Sequence, residues 1–246
     1  MKKPAILFYD IESAPNLGYI WGRYEQTVIA YKQERSLLSV AWKWLGDKQV
    51  SFATVEGDKD DKDLCLLIKG LYNESDIVVA HNGDEFDQKV VRARMLYHNI
   101  APHKILTTID TKKVAKAYFS FNGNDLKGLA KFLNLPHKLE TTGFELWLKC
   151  MRGDAKAWRE MVRYNKRDVI VLEKLYKRFL PWINNHPNIA RILNPHDVYG
   201  KKCPTCASSR VGMKGKRANA RTIQQQWKCK DCGRYFLTTI KAISGK

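Results

Sequence analysis

The strongest pattern near the start of the chain is a continuous apolar run, residues 5 to 9 (Ala-Ile-Leu-Phe-Tyr), ending in Asp10-Ile11-Glu12. A short run of this kind predicts a buried central strand. Its two acids lie at positions i and i+2, on one side of the strand. The aromatic and polar stretch from Pro15 to Glu34 reads as a loop. Leu37 to Trp44 and Gln49 to Thr54, around Gly46-Asp47, read as a hairpin. Leu64, Leu67, Ile68 and Leu71 share one helix face, which predicts a helix over Asp61 to Tyr72. Ile77 to Ala80 is the next expected strand. His81-Asn82-Gly83 is then a turn, and Glu85 to Tyr97 a helix with Asp87 in its first turn. Ile105 to Ile109 is a further candidate strand. Helical patterns dominate from Thr111 onward, the longest running from Asp154 to Phe179.

This order of elements describes an α/β fold, a mixed sheet flanked by helices. Pro181, Pro187 and Pro195 punctuate a weakly patterned stretch. We therefore expect a large domain over 1–180, a linker over 181–200 and a small module over 201–246.

Charge then adds a partner. The chain carries 43 Lys and Arg against 25 Asp and Glu, a formal net charge of +18. That excess points to a polyanion, and nucleic acid is the expected one. Membrane is disfavoured, because no apolar run approaches the roughly 20 residues a spanning helix needs. With no secretory signal evident, a cytoplasmic or otherwise intracellular protein is expected. The tail from residue 201 holds twelve basic residues and one acid, Asp231.

Asp10, Glu12, Asp87 and Asp168 form the candidate chemistry, with Tyr164 four residues before Asp168 on the same helix face. Carboxylates gathered in one cleft repel one another unless cations occupy it, and hard ions such as Mg²⁺ or Mn²⁺ take oxygen ligands. Two such ions would serve hydrolysis of a phosphodiester. Asp10 is the expected bridge between them, and Tyr164 would orient the attacking water. Asp84 and Glu85 read as exposed or capping acids. Asn82 reads as a turn residue and a candidate nucleic-acid contact. Trp21, Arg23 and Tyr24 would either pack in their loop or contact a terminal nucleotide.

Phe8-Tyr9-Asp10-Ile11-Glu12, the stretch from Ala80 to Asp87, and Tyr164-Asn165-Lys166-Arg167-Asp168 together resemble, in order, the three motifs of the DEDD exonucleases. These belong to the ribonuclease H-like superfamily, and the resemblance is to the branch with tyrosine in the third motif (DEDDy). It spans roughly residues 4 to 180. Arg163 stands where the histidine-type branch would carry its general base. The resemblance implies a ribonuclease H-like fold and two-metal hydrolysis from a 3′ end, releasing nucleoside monophosphates from DNA or RNA with a single-stranded 3′ end. A structure-selective or RNA-cleaving endonuclease, and a non-catalytic nucleic-acid-binding factor, are the alternatives.

Cys203 and Cys206, and Cys229 and Cys232, form two CxxC pairs separated by 22 residues. Four thiolates so spaced suit one structural Zn²⁺, and a segment this small lacks the core to fold readily without a staple. The tail resembles a zinc ribbon over about residues 201 to 240. Gly233 follows the second pair, whereas Ala207 holds the corresponding place after the first. Lys214, Lys216, Arg217 and Arg221 lie between the pairs, in an expected loop suited to phosphate contacts, with Trp227 and Tyr235 nearby to stack or pack. Cys65 and Cys150 stand alone and are expected in the core.

Overall fold

A computed structural model describes residues 4–24, 27–55, 60–136, 141–195 and 202–242. The described chain forms two compact units. One comprises Ala5–Lys116 with Ser120–Leu175; the other includes Ala117–Phe119 and the stretch from Tyr176 onward.

In the first unit the elements run β1 (Ile6–Ser13), β2 (Leu17–Tyr19), β3 (Ala30–Gln33), β4 (Leu37–Trp44), β5 (Ser51–Thr54), α1 (Lys62–Glu74), β6 (Ile77–Ala80), α2 (Asp87–Tyr97) and β7 (Thr108–Asp110). Helices α3 (Thr111–Tyr118), α4 (Leu126–Phe132), α5 (Phe144–Met151) and α6 (Ala155–Phe179) follow. The five-stranded sheet has the order β5-β4-β1-β6-β7. β4 pairs antiparallel with β1 and β5, while β6 pairs parallel with β1 and β7. This is the expected mixed α/β sheet, with β1 at its centre.

Strand periodicity decides what each face of β1 does. Leu7, Tyr9 and Ile11 point into a core shared with Leu64, Ile68 and Tyr72 of α1 and with Val90, Val91 and Met95 of α2. Burying each such side chain contributes about 1.5–3 kcal/mol. The Tyr72 hydroxyl donates to the Tyr9 hydroxyl at 2.8 Å, which satisfies both polar tips inside that core. The other face, which carries Asp10 and Glu12, belongs to α6. There Asn165 bonds to Asp10 and to Ser39, and Glu173 pairs with Lys43. α6 buries Ala157, Met161, Asn165, Asp168, Leu172, Leu175 and Phe179, a stripe with helical spacing.

Several expectations shift. The stretch read as a loop from Pro15 to Glu34 contains the β2–β3 hairpin, antiparallel with Tyr19 opposite Ala30. The strand expected over Ile105 to Ile109 falls on Thr108–Asp110, where backbone pairing with Val78, Val79 and Ala80 is available. α2 begins at Asp87 rather than Glu85, because the Asn82 carbonyl accepts from the Glu85 and Phe86 amides and extends the turn. Cys65 and Cys150 are buried, as expected.

The second unit holds the tail of α6, a 3₁₀ turn (Leu180–Trp182), α7 (Ile189–Leu193) and the strands β8 (Val211–Ala218), β9 (Thr222–Cys229) and β10 (Tyr235–Ala242). These strands form an antiparallel sheet ordered β10-β9-β8. The segment expected as a linker carries ordered structure up to Pro195, and residues 196–200 lie outside the described ones. It packs against the cysteine module: the Ile189 amide donates to the Pro204 carbonyl at 2.7 Å, and buried Arg234 donates through Nη2 to the Asn184 carbonyl at 2.8 Å. Among the described residues no helix is long and apolar enough to cross a membrane.

Candidate functional site

Three of the predicted acids converge. Asp10 and Glu12 leave β1 on the face covered by α6, and Asp168 reaches them from the buried stripe of that helix. One carboxylate oxygen from each lies within 4.8 Å of the others. That separation suits oxygen ligands sharing a hard cation with bonds of about 2.0–2.6 Å.

Asp87 lies next to this group but is not part of it. Its carboxylate accepts from the Ile11 amide at 3.3 Å, so the start of α2 is tied to the strand residue between Asp10 and Glu12. Burial pushes the Asp87 carboxyl up to about 7, in spite of the hydrogen bonds from the Ile11 and Asp87 amides. A cation nearby would reverse that preference for the neutral form.

Tyr164 lies one turn before Asp168, half-buried, with its ring edge-on to Trp147 at 5.9 Å. It packs against the small core of Leu146, Cys150, Ala157 and Met161. This fixes the ring while leaving the tyrosine on the helix face that carries Asp168.

Asn165 is a residue the motifs alone do not single out. It is wholly buried, and its amide Nδ2 donates to Asp10 Oδ2 at 2.7 Å and to the Asp10 carbonyl at 3.2 Å. Its Oδ1 accepts from Ser39 Oγ at 3.2 Å. Asn165 thereby orients the Asp10 carboxylate. The sequence does carry a signal for it: Asn165 and Asp168 are polar residues set in an otherwise apolar helical stripe.

Asp110 is a second such residue. Its Oδ1 accepts from the amides of Asn82, Lys112 and Lys113 at 2.9, 2.9 and 3.3 Å. It caps α3 and holds the turn that leads to Asp87. Asn82 takes a left-handed conformation there, with φ of 68°. Gly83 is required beside it, since a Cβ would meet the Ala80 Cβ at 2.4 Å. His81 is also engaged in the scaffold, through Thr111 Oγ1 at 2.9 Å and the Asn124 carbonyl at 3.0 Å. Asp84 accepts from Gln88 and Lys113, and Glu85 pairs with Lys89, consistent with their reading as helix-start acids.

Asp61, Cys65 and His98 form another acid-thiol-imidazole group close enough for a cation. Here the protein supplies its own cation. Arg94 donates to both Asp61 oxygens at 2.8 Å, and Asp61 also meets His98 at 2.6 Å and the Leu37 amide at 2.7 Å. Burial pushes the Asp61 carboxyl up, but the bonds from Arg94, His98 and Leu37 outweigh it and hold the carboxyl below its ordinary value. Burial pushes the Cys65 thiol up to about 12, so it offers no thiolate at neutral pH. This group is a structural clamp between α1, α2 and β4.

In the second unit all four predicted cysteines meet, their sulfurs within 4.8 Å of one another. Cys203 and Cys232 sulfurs lie 3.5 Å apart, and Cys206 and Cys229 sulfurs 3.6 Å. Zn–S bonds of about 2.3 Å give a tetrahedron with edges of about 3.8 Å, so the sulfurs fit a single zinc ion. Hydrogen bonds from Cys206 and Cys232 pull the Cys203 thiol below its ordinary value, despite burial. The departure at Ala207 leaves the turn intact: Ala207 and Gly233 both adopt left-handed backbones, with φ of 57° and 76°.

Lys214, Lys216 and Arg217 lie in the outer half of β8 instead of the expected loop, and Arg221 in the turn after it. Pairing with Gln224 and Gln225 of β9 extends the hairpin, with an irregularity between Met213 and Lys216 where Gly215 has φ of 118°. All four cations are exposed. Trp227 packs, stacked with Phe236 and donating to Thr238 Oγ1 at 2.8 Å.

A mixed sheet whose central strand carries two carboxylates on one face, with a third delivered by the covering helix, is the architecture of an RNase H-like α/β protein. The chain belongs to the RNase_H superfamily, whose family model matches residues 7–180. Among solved structures it is similar to the family B DNA polymerase from the hyperthermophilic archaeon Pyrobaculum calidifontis, with a TM-score of 0.54 and 16% identity. The similarity covers 72% of this chain and 25% of the polymerase, and at that identity it is a likeness of fold. The curated proteins contain no match to this chain.

Proposed function

We propose that the protein is a two-metal-dependent 3′–5′ exonuclease of the tyrosine type, hydrolysing DNA or RNA at a single-stranded end. The convergence of Asp10, Glu12 and Asp168 on one face of the central sheet carries this reading. Membership of the superfamily supports a nuclease, and nucleases of that superfamily are generally dependent on divalent metal. Asp10, Glu12, Asp87 and Asp168 would hold two Mg²⁺ or Mn²⁺ ions. When bound, these ions neutralise charge at the phosphodiester and activate the attacking water. Asn165 holds the Asp10 carboxylate in place through its amide donation to Oδ2. Tyr164 would orient the water through its hydroxyl; with an ordinary pKa of about 10, a phenol is a poor free base at neutral pH.

The Cys203, Cys206, Cys229 and Cys232 cluster would hold one structural Zn²⁺. The exposed Lys214, Lys216, Arg217 and Arg221 would grip phosphates in a sequence-independent way, and Asn82 would contact the strand near Asp87. The test is digestion of end-labelled and covalently closed DNA and RNA, with and without Mg²⁺ or Mn²⁺. Stepwise shortening from the 3′ end, abolished by metal removal and in Asp10→Asn, is the expected result. Cleavage of closed circles would establish an endonuclease instead, and metal-independent retention of all substrates would leave only binding. Changing the four tail cations to Gln should flatten the dependence of log affinity on log salt by about 0.7–0.9 for each phosphate no longer neutralised.

A further inference from the structure

The β2–β3 hairpin exposes aromatic surface that its own folding does not account for. Tyr19, Trp21, Tyr24 and Tyr31 are 59%, 86%, 87% and 52% exposed. Large apolar side chains concentrated on one exposed element mark a binding surface. At the foot of this hairpin a groove of about 510 Å³ separates it from α2. Tyr31 and Arg35 line the hairpin side; Lys89 and Tyr97, the latter 67% exposed, line the helix side.

The position of the groove ties it to the acid site. α2 begins with Asp87, whose carboxylate is bonded to the Ile11 amide, and Lys89 is the second residue beyond it. On the other wall, Asn16 follows β1 by three residues. From Lys89 to Tyr97 the helix wall extends about 12 Å, long enough to run beside a short stretch of single strand. A second cavity of about 800 Å³ shares Glu34, Arg94 and Tyr97 with the first and continues toward Arg152 and Trp158.

The chemistry of the lining selects an occupant. Within the first groove Arg94 is committed to Asp61, Arg35 lies over the Phe86 ring, and Lys89 is in an exposed pair with Glu85, a surface pair weak enough to be exchanged for a phosphate; Glu34 is the one acid of the lining. The Tyr97 ring, with the Arg94 guanidinium over one face at 4.3 Å, and the exposed Tyr31 ring offer faces on which bases of a single strand can stack, with Arg35 and Lys89 in the same lining for its phosphates. A duplex would not present its bases to them.

We propose that this groove is a single-strand nucleic-acid subsite, in which Tyr31 and Tyr97 stack on bases upstream of the scissile bond and Arg35 and Lys89 contact the phosphates between them. The inference rests on the nuclease reading above and assigns the route by which the strand reaches the acids. It commits the hairpin to substrate rather than to a protein partner.

The test measures binding of fluorescent oligothymidylate and oligouridylate to the full-length protein without divalent metal, comparing a trinucleotide with a decanucleotide. Tyr31→Ala and Tyr97→Ala should each weaken decanucleotide binding by about five-fold or more, the range for loss of one stacked base, with little change for the trinucleotide. Tyr31→Phe and Tyr97→Phe keep the ring and should bind within about two-fold of wild type, since stacking uses the ring face and not the hydroxyl. Photocrosslinking of wild type to a 5-iodouracil decanucleotide should label Tyr31 or Tyr97, a readout that does not depend on the folding of any variant. Decanucleotide binding unchanged in both alanine variants, or crosslinks confined to other segments, would overturn the subsite even if the wild type degrades the oligonucleotide. A wild type that neither binds nor degrades single strands would instead bring down the nuclease reading, and this inference with it.

Discussion

Asn165→Ala separates a metal site from a merely acidic cleft. The change removes a side chain with no exposed surface, two donations to Asp10 and the acceptor for Ser39. A hydrogen bond to a charged group is worth about 1.5–3 kcal/mol, and one left unmade by a buried neutral group costs about 1–3 kcal/mol. Ser39 is fully buried and is left without its acceptor, so we expect the fold to be destabilised by about 2 kcal/mol. The larger consequence falls on the ions. Removing a residue that orients a metal ligand typically weakens metal affinity or activity by about 10- to 100-fold. The Mg²⁺ concentration giving half-maximal single-turnover cleavage should therefore rise by that factor, and saturating Mg²⁺ should recover most of the rate. Thermal melting with and without Mg²⁺ supplies a second readout, in which the stabilisation by the ion should shrink in the variant. An unchanged Mg²⁺ midpoint together with an unchanged rate would show that Asp10 does not bind the ion through the carboxylate that Asn165 holds.

Three further perturbations address separate parts of the molecule. Asp10→Asn should abolish cleavage with the fold retained, whereas Tyr164→Phe should lower the single-turnover rate by a smaller factor; an unchanged rate would make Tyr164 a packing residue against Trp147. Elemental analysis should find one tightly held zinc per chain, and Cys203→Ser should loosen the β8–β10 sheet while leaving the larger unit's melting in place; zinc-free protein with reduced cysteines would refute the ribbon's metal. Asp61→Asn breaks a buried charge pair with Arg94 and should destabilise the fold by about 3–5 kcal/mol. Because the folded Asp61 carboxyl lies below its ordinary value, its stabilisation is complete above the unfolded pKa of about 3.9 and disappears as pH falls through the lower folded value. Wild type should lose that share on acidification and Asp61→Asn should not; parallel acid-denaturation profiles would remove Asp61 from the account.

Local rules are enough where the chemistry is local. Asp10 and Glu12 can be placed on one face from the two-residue period of a strand, with Leu7, Tyr9 and Ile11 on the other. The four cysteines are legible because two CxxC pairs need only a hairpin to meet, and β8 and β9 provide it. Asp168 requires more. Its meeting with β1 depends on α6 crossing the sheet, which is fixed by pairings more than a hundred residues apart, such as Asn165 with Ser39 and Glu173 with Lys43. The order of the motifs carries that information, while helical periodicity alone does not.

The segments that depart from expectation share a physical cause. β2 and β3 are three and four residues long and mostly exposed, so no burial pattern marks them as strands. β7 is displaced because its place is set by pairing with β6, not by its own apolar content. The stretch after Pro181 resembles a linker because its buried apolar residues, Ile183, Ile189 and Ala190, are too few and too irregularly spaced to make a periodic stripe, and polar contacts from Asn184 to Arg234 and from Ile189 to Pro204 add to them. Asn165 is the instructive case. In the stripe from Ala157 to Phe179, a polar residue must either find a partner or cost about 1–3 kcal/mol. Two polar residues three apart in such a stripe therefore imply polar groups on the surface they face. On β1 the group facing that stripe is Asp10, so the helix pattern and the strand pattern, each ambiguous alone, specify the same meeting point.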